Sequence, residues 1–275
     1  NAGICHYCGR RFSIPSSCPS CGSRYIKYFG AGTEKVEEFT RELFPERKTE
    51  RLDLDTAKNQ REIDRIIGNF SRGKTDILIG TQLVAKGLDF RNVGLVGVVA
   101  ADVSLNIPDY RSTERTFQLV TQVAGRAGRG DQQGVVIVQS YTPDNFALTA
   151  AAHHDYQSFF EMEIRMREMM EYPPFSDLIF VEFTSADEDE AASAAEKCRL
   201  FLTRCRIERN GEHIFSPRVS SNFKGKDSFR YYIMIKCPKG LRNKYVYYIS
   251  RFADQIAAEK NGCSVTIDVN PYSTF

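Results

Sequence analysis

The sequence lacks the features that would place it in a membrane or send it out of the cell. No apolar run approaches the ~18 residues that a helix needs to cross a bilayer. The first residues contain no basic segment followed by an apolar stretch, so no secretory signal is expected. Neither charge is in excess, since 37 Lys and Arg face 35 Asp and Glu. This balance excludes a strongly basic protein that coats nucleic acid, although it leaves room for a local basic groove.

The cysteines form two groups. Four lie in the first 21 residues as two C-x-x-C pairs, each followed by glycine, and four are scattered through the last third of the chain. A secreted disulfide scaffold would be smaller and would spread its cysteines evenly. Clustered pairs without a secretory signal indicate a metal in a reducing compartment, so a cytoplasmic location is expected.

The first group fits a structural zinc site. Cys5, Cys8, Cys18 and Cys21 have the spacing C-x2-C-x9-C-x2-C. Four thiolates suit tetrahedral Zn²⁺ in a closed site. Unmetallated buried cysteines are the less favoured alternative. A redox pair is less favoured still, because redox C-x-x-C motifs follow a strand and open a helix.

Hydrophobic periodicity divides the rest of the chain in two. Up to about residue 143, short apolar runs alternate with amphipathic helices, which predicts a parallel α/β sheet. A long helical stretch over about 145–171 follows, and the remaining pattern has the order β-α-β-β-α-β of a split βαβ, ferredoxin-like domain. The predicted strands of the first part are 47–54, 76–80, 93–100 and 134–138, and its helices are 33–44, 60–70 and 112–124. The predicted strands of the second part are 177–184, 214–219, 229–236 and 263–269, and its helices are 187–205 and 242–258.

Two motifs carry chemistry. Residues 122–129 read Gln-Val-Ala-Gly-Arg-Ala-Gly-Arg, with two arginines three residues apart where a helix meets a loop. Guanidinium groups so placed suit the γ-phosphate of a nucleotide, whereas the alternative is a solvated basic helix end. Upstream, residues 80–90 read Gly-Thr-Gln-Leu-Val-Ala-Lys-Gly-Leu-Asp-Phe, where a strand ends in a phosphate-contacting loop. These blocks resemble motifs V and VI of superfamily 2 helicases.

Four further sequence blocks narrow the resemblance to one helicase family. They are 30–34 (GAGTE), 51–55 (RLDLD), 172–176 (YPPFS) and 267–271 (IDVNP). Together with the zinc segment, they resemble the C-terminal part of the primosomal protein N′ family of replication-restart helicases, over essentially the whole chain.

The resemblance implies a bacterial ATP-dependent 3′→5′ DNA helicase that recognises abandoned forks and reloads the replicative helicase. It implies a zinc segment at 1–27, a second RecA-like helicase lobe at 28–145 and an α+β domain similar to ribosomal S10 at 146–275. The implied partners are forked or single-stranded DNA, single-strand-binding protein, and primosome and helicase-loading proteins at the nucleoid, without a membrane.

Eight residues take implied roles from their positions in the two motifs. They are Gln122, Arg126 and Arg129 at the ATP site, Gly87 and Asp89 against the nucleotide, and Thr81, Gln82 and Lys86 between the nucleotide and the DNA strand.

The sequence departs from the family in two ways. It contains no G-x-x-x-x-G-K-[ST] and no DExH box, so the ATP- and Mg²⁺-binding lobe is missing and the chain alone should not hydrolyse ATP. The family also holds two zincs with eight cysteines in nested pairs, of which only the last two pairs occur here. Their spacing still allows a single shared zinc, which we predict.

Other interpretations stay open at this stage. The chain can instead be a non-catalytic zinc and DNA docking module that recruits primosome partners. An RNA helicase is disfavoured by the zinc knuckles immediately before the lobe. A basic and aromatic segment over 218–231 can bind single-stranded nucleic acid by stacking and phosphate contact, with a solvated hairpin as an equal alternative.

Overall fold

The computed structural model describes residues 2–4, 11–13, 15–25, 32–53, 56, 59–81, 84, 90, 93–125, 134–205, 207, 213–219, 228–258 and 262–272. Its backbone divides into two compact units. One comprises 23–107 and 111–162, and the other comprises 163–275 with 1–22 and 108–110. The domain boundaries drawn from the sequence stay a prediction. No helix in the described part is long and apolar enough to cross a membrane.

The chain begins with a short antiparallel hairpin of β1 (Ala2–Ile4) and β2 (Arg11–Ser13). The predicted alternation of helices and strands then follows. Its elements are α1 (Thr33–Leu43), β3 (Thr49–Leu52), α2 (Gln60–Ser71), β4 (Ile77–Gly80), β5 (Leu95–Val98), α3 (Asp102–Leu105), α4 (Ser112–Ala124) and β6 (Val135–Val138).

Strands β3 to β6 run parallel to their partners, as predicted, and form two separate pairs within the described residues. Strand β3 pairs with β4, and β5 pairs with β6. Helix α2 connects β3 to β4, and helices α3 and α4 connect β5 to β6. A helical crossover is what lets consecutive strands run parallel. No ladder joins the two pairs among the described residues, so the expected single sheet is observed there as two parallel pairs.

The predicted single helix over about 145–171 is wrong, because the structure has two helices there. They are α5 (Phe146–Ala152) and α6 (Tyr156–Met169). His154 between them has a φ of 53°, which no α-helix accommodates. The carboxylate of Asp155 then accepts hydrogen bonds from the backbone N–H and the hydroxyl of Ser158, so it begins a new helix.

The second unit confirms the predicted order β-α-β-β-α-β. Its sheet is antiparallel with the strand order β10-β7-β9-β8, which is the arrangement of a split βαβ fold. Strand β8 is shorter than the predicted 214–219, because Pro217 has no N–H to donate to the ladder. The elements are β7 (Ser176–Ser185), α7 (Glu188–Arg204), β8 (Arg218–Val219), β9 (Phe229–Pro238), α8 (Arg242–Ala258) and β10 (Ser264–Val269).

One face of this sheet forms the main core. Alternate residues of the two central strands, such as Val181 and Phe183 on β7 and Ile233 on β9, are fully buried and share a cluster with α7 and α8. Burying a side chain of this size contributes roughly 1.5–3 kcal/mol. The scattered Cys198 and Cys237 lie in the same core, as packing residues.

Asn270 closes the sheet just after β10. Its backbone has a φ of 53°. Its side-chain oxygen accepts the backbone N–H of the fully buried Leu178 at 2.8 Å, and its side-chain amide donates to Asp177 at 2.7 Å. Asparagine tolerates the left-handed conformation better than other residues with a Cβ, so backbone and side chain both favour it here.

We expect Asn270→Ala to lower the free energy of unfolding by about 2–3 kcal/mol, because the buried Leu178 N–H loses its acceptor and the backbone is strained. Asn270→Gly relieves the strain and should cost less. Urea unfolding followed by circular dichroism measures both, since the chain has no tryptophan. The exposed Asn243→Ala on α8 is the control and should change stability by less than about 0.5 kcal/mol. An Asn270→Ala protein as stable as the wild type would contradict this role.

Candidate nucleotide- and DNA-coupling site

The carboxyl ends of β3 and β4 lie side by side. Leu52 pairs with Gly80, so the next residues, Asp53 and Thr81, emerge together at one edge. Ligands of open parallel α/β sheets bind at the carboxyl ends of the strands. Thr81 is exposed, and its carbonyl accepts the N–H of Val84 at 3.0 Å, which turns the chain away from the strand.

Glycine is required at the last position of β4. A Cβ at Gly80 would lie 2.5 Å from the carbonyl oxygen of Leu52 and 2.3 Å from a methyl group of Val84. Real Cβ atoms do not approach a backbone atom so closely, so a side chain here would force the two strand ends apart. Gly80 thus fixes how Thr81 leaves the sheet.

Asp53 is the most strongly held group at this edge. It is only 5% exposed. The Thr33 hydroxyl donates to one carboxylate oxygen at 2.5 Å, and the Thr56 N–H donates to the other at 2.9 Å. The Asp53 N–H in turn donates to the Thr56 hydroxyl at 3.0 Å. Because Thr33 is the first residue of α1, this network ties the start of that helix to the end of β3.

One cation between two carboxylates completes the network. The Nε of Arg51 lies 3.4 Å from a carboxylate oxygen of Asp53 and 3.4 Å from one of Glu37 on α1. The Arg51 side chain is mostly buried, as are both acids. Removing Arg51 would leave two mostly buried carboxylates without their shared cation.

The environment makes Asp53 a strong acid. Burial by itself raises the pKa of this carboxyl, but the hydrogen bonds from Thr33 and Thr56 and the charge of Arg51 outweigh burial and lower the pKa to about 2. A carboxylate whose oxygens are already engaged does not exchange protons near neutral pH. The geometry therefore makes Asp53 a positioning residue rather than a general acid or base.

A second carboxylate links the segments that follow β5 and β6. Asp102, at the start of α3, accepts the N–H of Tyr141 at 2.9 Å and the hydroxyls of Ser140 and Thr142 at 3.0 and 2.9 Å. Burial raises its pKa, but the N–H of Tyr141 and the two hydroxyls outweigh burial and lower the pKa. The segments after β5 and β6 are thus joined through one ionised side chain.

Only some of the predicted motif residues lie in the described part. Thr81 follows β4, and Gln122 is exposed in the last turn of α4. That helix ends at Gly125, whose N–H donates to the carbonyl of Thr121 at 3.0 Å. No hydrogen bond joins Thr81 to Gln122 among the described residues. The predicted residues outside the described part are Gln82, Lys86, Gly87, Asp89, Arg126 and Arg129, together with the cysteines Cys5 and Cys8.

The second cysteine pair has the geometry of a metal knuckle. The Gly22 N–H donates to the Cys18 carbonyl at 2.8 Å, and Gly22 has a φ of 71°. The backbone N–H groups of Cys21 and then Ser20 face the Cys18 sulfur and lower the pKa of its thiol. This arrangement fits a thiolate ligand. Within the described residues, no group of three or more metal-ligating side chains is assembled.

Thr33 and Asp53 belong to the sequence blocks 30–34 and 51–55. These blocks support the family resemblance, but they do not indicate a role for either residue. Their contact depends on β3 running back along α1, so that the end of the strand lies beside the start of the helix, and no local pattern contains this. Arg230 of the predicted basic and aromatic segment lies 3.3 Å from Glu182, and the Tyr231 hydroxyl lies 2.9 Å from Glu188. Both are engaged within the domain.

Two family models match the chain in sequence order. A "Helicase conserved C-terminal domain" covers residues 24–131, and a "Primosomal protein N C-terminal domain" covers residues 168–272. The first confirms the predicted RecA-like α/β lobe with parallel strands. The second coincides with the antiparallel split βαβ sheet.

Several curated proteins with the name "Replication restart protein PriA" are similar over nearly the whole chain. The identity is 40% over 274 residues for that of Bacillus subtilis, which is 98% of this chain and 33% of the relative. It is 39% for Synechocystis, over 86% of this chain and 28% of the relative. It is 36% for Chlamydia pneumoniae, over 100% of this chain and 36% of the relative. The chain thus spans about a third of each relative's length.

The pKa of Asp53 predicts how the site responds to acid. The folded value of about 2 lies below the ordinary 3.8, so the carboxylate stabilises the fold above that ordinary value and this contribution is lost as the pH falls through about 2. Asp53→Asn should therefore cost about 2 kcal/mol at pH 7, and progressively less in acid. Urea unfolding across this pH range measures the difference from wild type.

The control for this experiment is Asp64→Asn. Asp64 is exposed on α2 in the same unit, and its substitution should change stability by less than about 0.5 kcal/mol. If Asp53→Asn lowers the free energy of unfolding equally at neutral and strongly acidic pH, the loss comes from the changed hydrogen-bonding geometry of the amide and not from the missing negative charge.

Proposed function

We propose, on the premise that this chain belongs to the replication restart protein PriA family and is its C-terminal portion, that the intact protein is an ATP-dependent 3′→5′ DNA helicase in replication restart. The observation that carries the proposal is the match of a helicase C-terminal domain and a primosomal protein C-terminal domain, in that order, on one chain. The name and the 40% identity of the Bacillus subtilis relative support the restart role.

In this proposal the unit with parallel strands is the second lobe of the motor. Thr81, at the carboxyl edge of β3 and β4, begins the segment that would respond to nucleotide and DNA together. The helix α4 leads directly into Arg126 and Arg129, which would meet the γ-phosphate of an ATP held by an upstream lobe. Mg²⁺ would neutralise phosphate charge there, and the sequence contains no cradle for it.

The network around Asp53 would keep this lobe rigid while the nucleotide changes. Thr33 and Glu37 fix α1 against the end of β3, and Gly80 fixes the neighbouring strand end. A catalytic group held on such a frame needs no reorganisation when charge develops at the phosphate. These residues would act by position, without touching the reacting atoms.

The proposed partners follow from the same family membership. They are forked or single-stranded DNA, single-strand-binding protein, and primosome and helicase-loading proteins. A docking module without catalysis is the less supported function, because the helicase model covers residues 24–131, far beyond the zinc segment.

We also propose one structural zinc held by Cys5, Cys8, Cys18 and Cys21. The turn at Cys18 to Gly22 directs backbone N–H groups at a sulfur, as a thiolate ligand needs. The zinc would stabilise the segment before the lobe and would take no part in hydrolysis.

The motor proposal is tested by ATP hydrolysis on forked DNA. We expect this chain alone to be inactive and the intact protein to be active. Arg129→Ala in the intact protein should reduce turnover about 10³- to 10⁵-fold, because a transition-state charge loses its partner, with DNA affinity nearly unchanged. Arg61→Ala, which removes an exposed cation from α2, should leave turnover unchanged. Turnover by the chain alone, or none by the intact protein, would contradict the proposal, and the second result would favour a docking module.

The zinc proposal is tested by elemental analysis of freshly reduced protein. We expect one zinc for each chain, and its loss in Cys18→Ser/Cys21→Ser, because two of four thiolates are removed. Cys263→Ser, which removes a partly exposed cysteine far along the chain, should retain the metal. Protein that folds without zinc would overturn this assignment.

A further inference from the structure

The short segment 108–110 belongs to the unit of the C-terminal sheet, although the chain on both sides of it belongs to the other unit. Helix α4 begins at Ser112, two residues after Tyr110. At its other end, α4 leads into Arg126 and Arg129. The groups that hold Tyr110 therefore also hold the start of the helix that precedes both arginines.

The ring of Tyr110 is stacked on that of Tyr172, which follows α6 in the chain. The two ring centroids lie 5.1 Å apart, and the ring planes are 9° from parallel. Both residues are half-buried. Stacked rings at this distance attract each other beyond the effect of the area that they bury. The pair therefore ties the segment before α4 to the segment after α6.

A cation lies over each of the two rings. The guanidinium carbon of Arg167 is 5.1 Å from the ring centroid of Tyr110. The Nζ atom of Lys236 is 4.0 Å from the ring centroid of Tyr172. Both distances are within the range in which a cation is attracted by an aromatic ring. We call these two rings and two cations the tyrosine stack.

Regular elements hold both cations of the tyrosine stack in place. On α6, the Nε of Arg167 donates to the buried carboxylate of Glu163 at 2.8 Å. On the central strand β9, the backbone N–H of Lys236 donates to the carbonyl of His213 at 2.9 Å. The Nζ of Lys236 also donates to the carbonyl of Met170 at 2.6 Å. The stack therefore rests on a helix and a sheet, and rigid elements hold a site more precisely than loops do.

Helix α4 can carry a displacement from its first turn to its last. Arg111 occupies the N-cap position, and arginine has no side-chain acceptor for the N–H groups of the first turn. Phe117 and Val120 hold the middle of the helix in a core. The helix has 13 residues and is about 20 Å long. A first turn released from the tyrosine stack would let the helix tilt about this core, and its last turn would move.

We propose that Tyr110 and Tyr172 are positioning residues for ATP hydrolysis, because their stacking fixes the start of α4 and so the place of Arg126 and Arg129. The inference rests on the proposed function, since it takes hydrolysis by the intact protein from there. It adds that the C-terminal sheet domain supports the motor through an aromatic contact. The tyrosines would act through the helix, without touching the reacting atoms.

The first test measures ATP hydrolysis by the intact protein on forked DNA. Tyr172→Leu should lower kcat about 10- to 100-fold, because a small misplacement of a catalytic group is costly. The KM for ATP should change less than about twofold, since the interaction lost is made in the transition state. Tyr172→Phe keeps the ring and should retain kcat within about twofold. Tyr110→Leu/Tyr172→Leu should be no slower than Tyr172→Leu, since both remove the same contact.

The matched control is Tyr247→Leu, which removes an exposed ring from α8 and should leave kcat unchanged. An active wild type with an equally active Tyr172→Leu variant would overturn the positioning role and leave the proposed function standing. A raised KM with unchanged kcat, or a Tyr172→Phe protein as slow as Tyr172→Leu, would also overturn it. A wild type without hydrolysis would contradict the proposed function and this inference together.

The second test needs no catalysis. Hydrogen–deuterium exchange of this chain, followed by mass spectrometry on peptides that cover 108–115, measures how firmly the start of α4 is held. Tyr172→Leu should speed exchange there at least about fivefold, because the segment opens more often. Slow exchange in β7 and β9 shows that the variant is folded, and Tyr247→Leu should match the wild type throughout. Unchanged exchange over 108–115 in a folded Tyr172→Leu chain would overturn the inference.

Discussion

The close approach of β3 and β4 at Leu52 and Gly80 is the constraint on which the lobe depends. With no side chain between them, the two strand ends lie near enough for Asp53 and Thr81 to leave the same edge. The buried carboxylate of Asp53 then collects donors from α1 and from Thr56. A backbone contact at one glycine therefore sets the positions of a helix start, an ion-pair network and the beginning of a helicase motif.

The chain uses charge in two opposite ways. In the lobe, Asp53, Arg51 and Glu37 are drawn together and mostly buried, so their charges hold the fold and present little to solvent. In the C-terminal domain, cations such as Lys197 on α7 and Lys244 on α8 are left exposed, while three of the four acids of α7 lie in its first turn. The net charge of +2 is the sum of these separate arrangements and describes neither of them.

Much of the fold could be predicted because its signals are local. The spacing of Ile63, Ile66, Ile67 and Phe70 predicted α2, and the alternation along 177–184 predicted β7, since each pattern reflects one buried face. The break at His154 was missed because a single left-handed residue leaves no trace in periodicity. The shortened β8 was missed although Pro217 carried the signal.

The sequence alone determined the class of the protein and the order of its parts, because motifs such as that at 122–129 and the order of strands and helices are properties of neighbouring residues. Only the tertiary structure decided what contacts what. Thr33 and Asp53 are 20 residues apart, and Phe201 and Phe252 are farther still, so nothing in their local patterns joins them. The packing of α1 against β3 and of α7 against α8 does so, because the packing of helices on strands and on one another is fixed by burial across the whole domain.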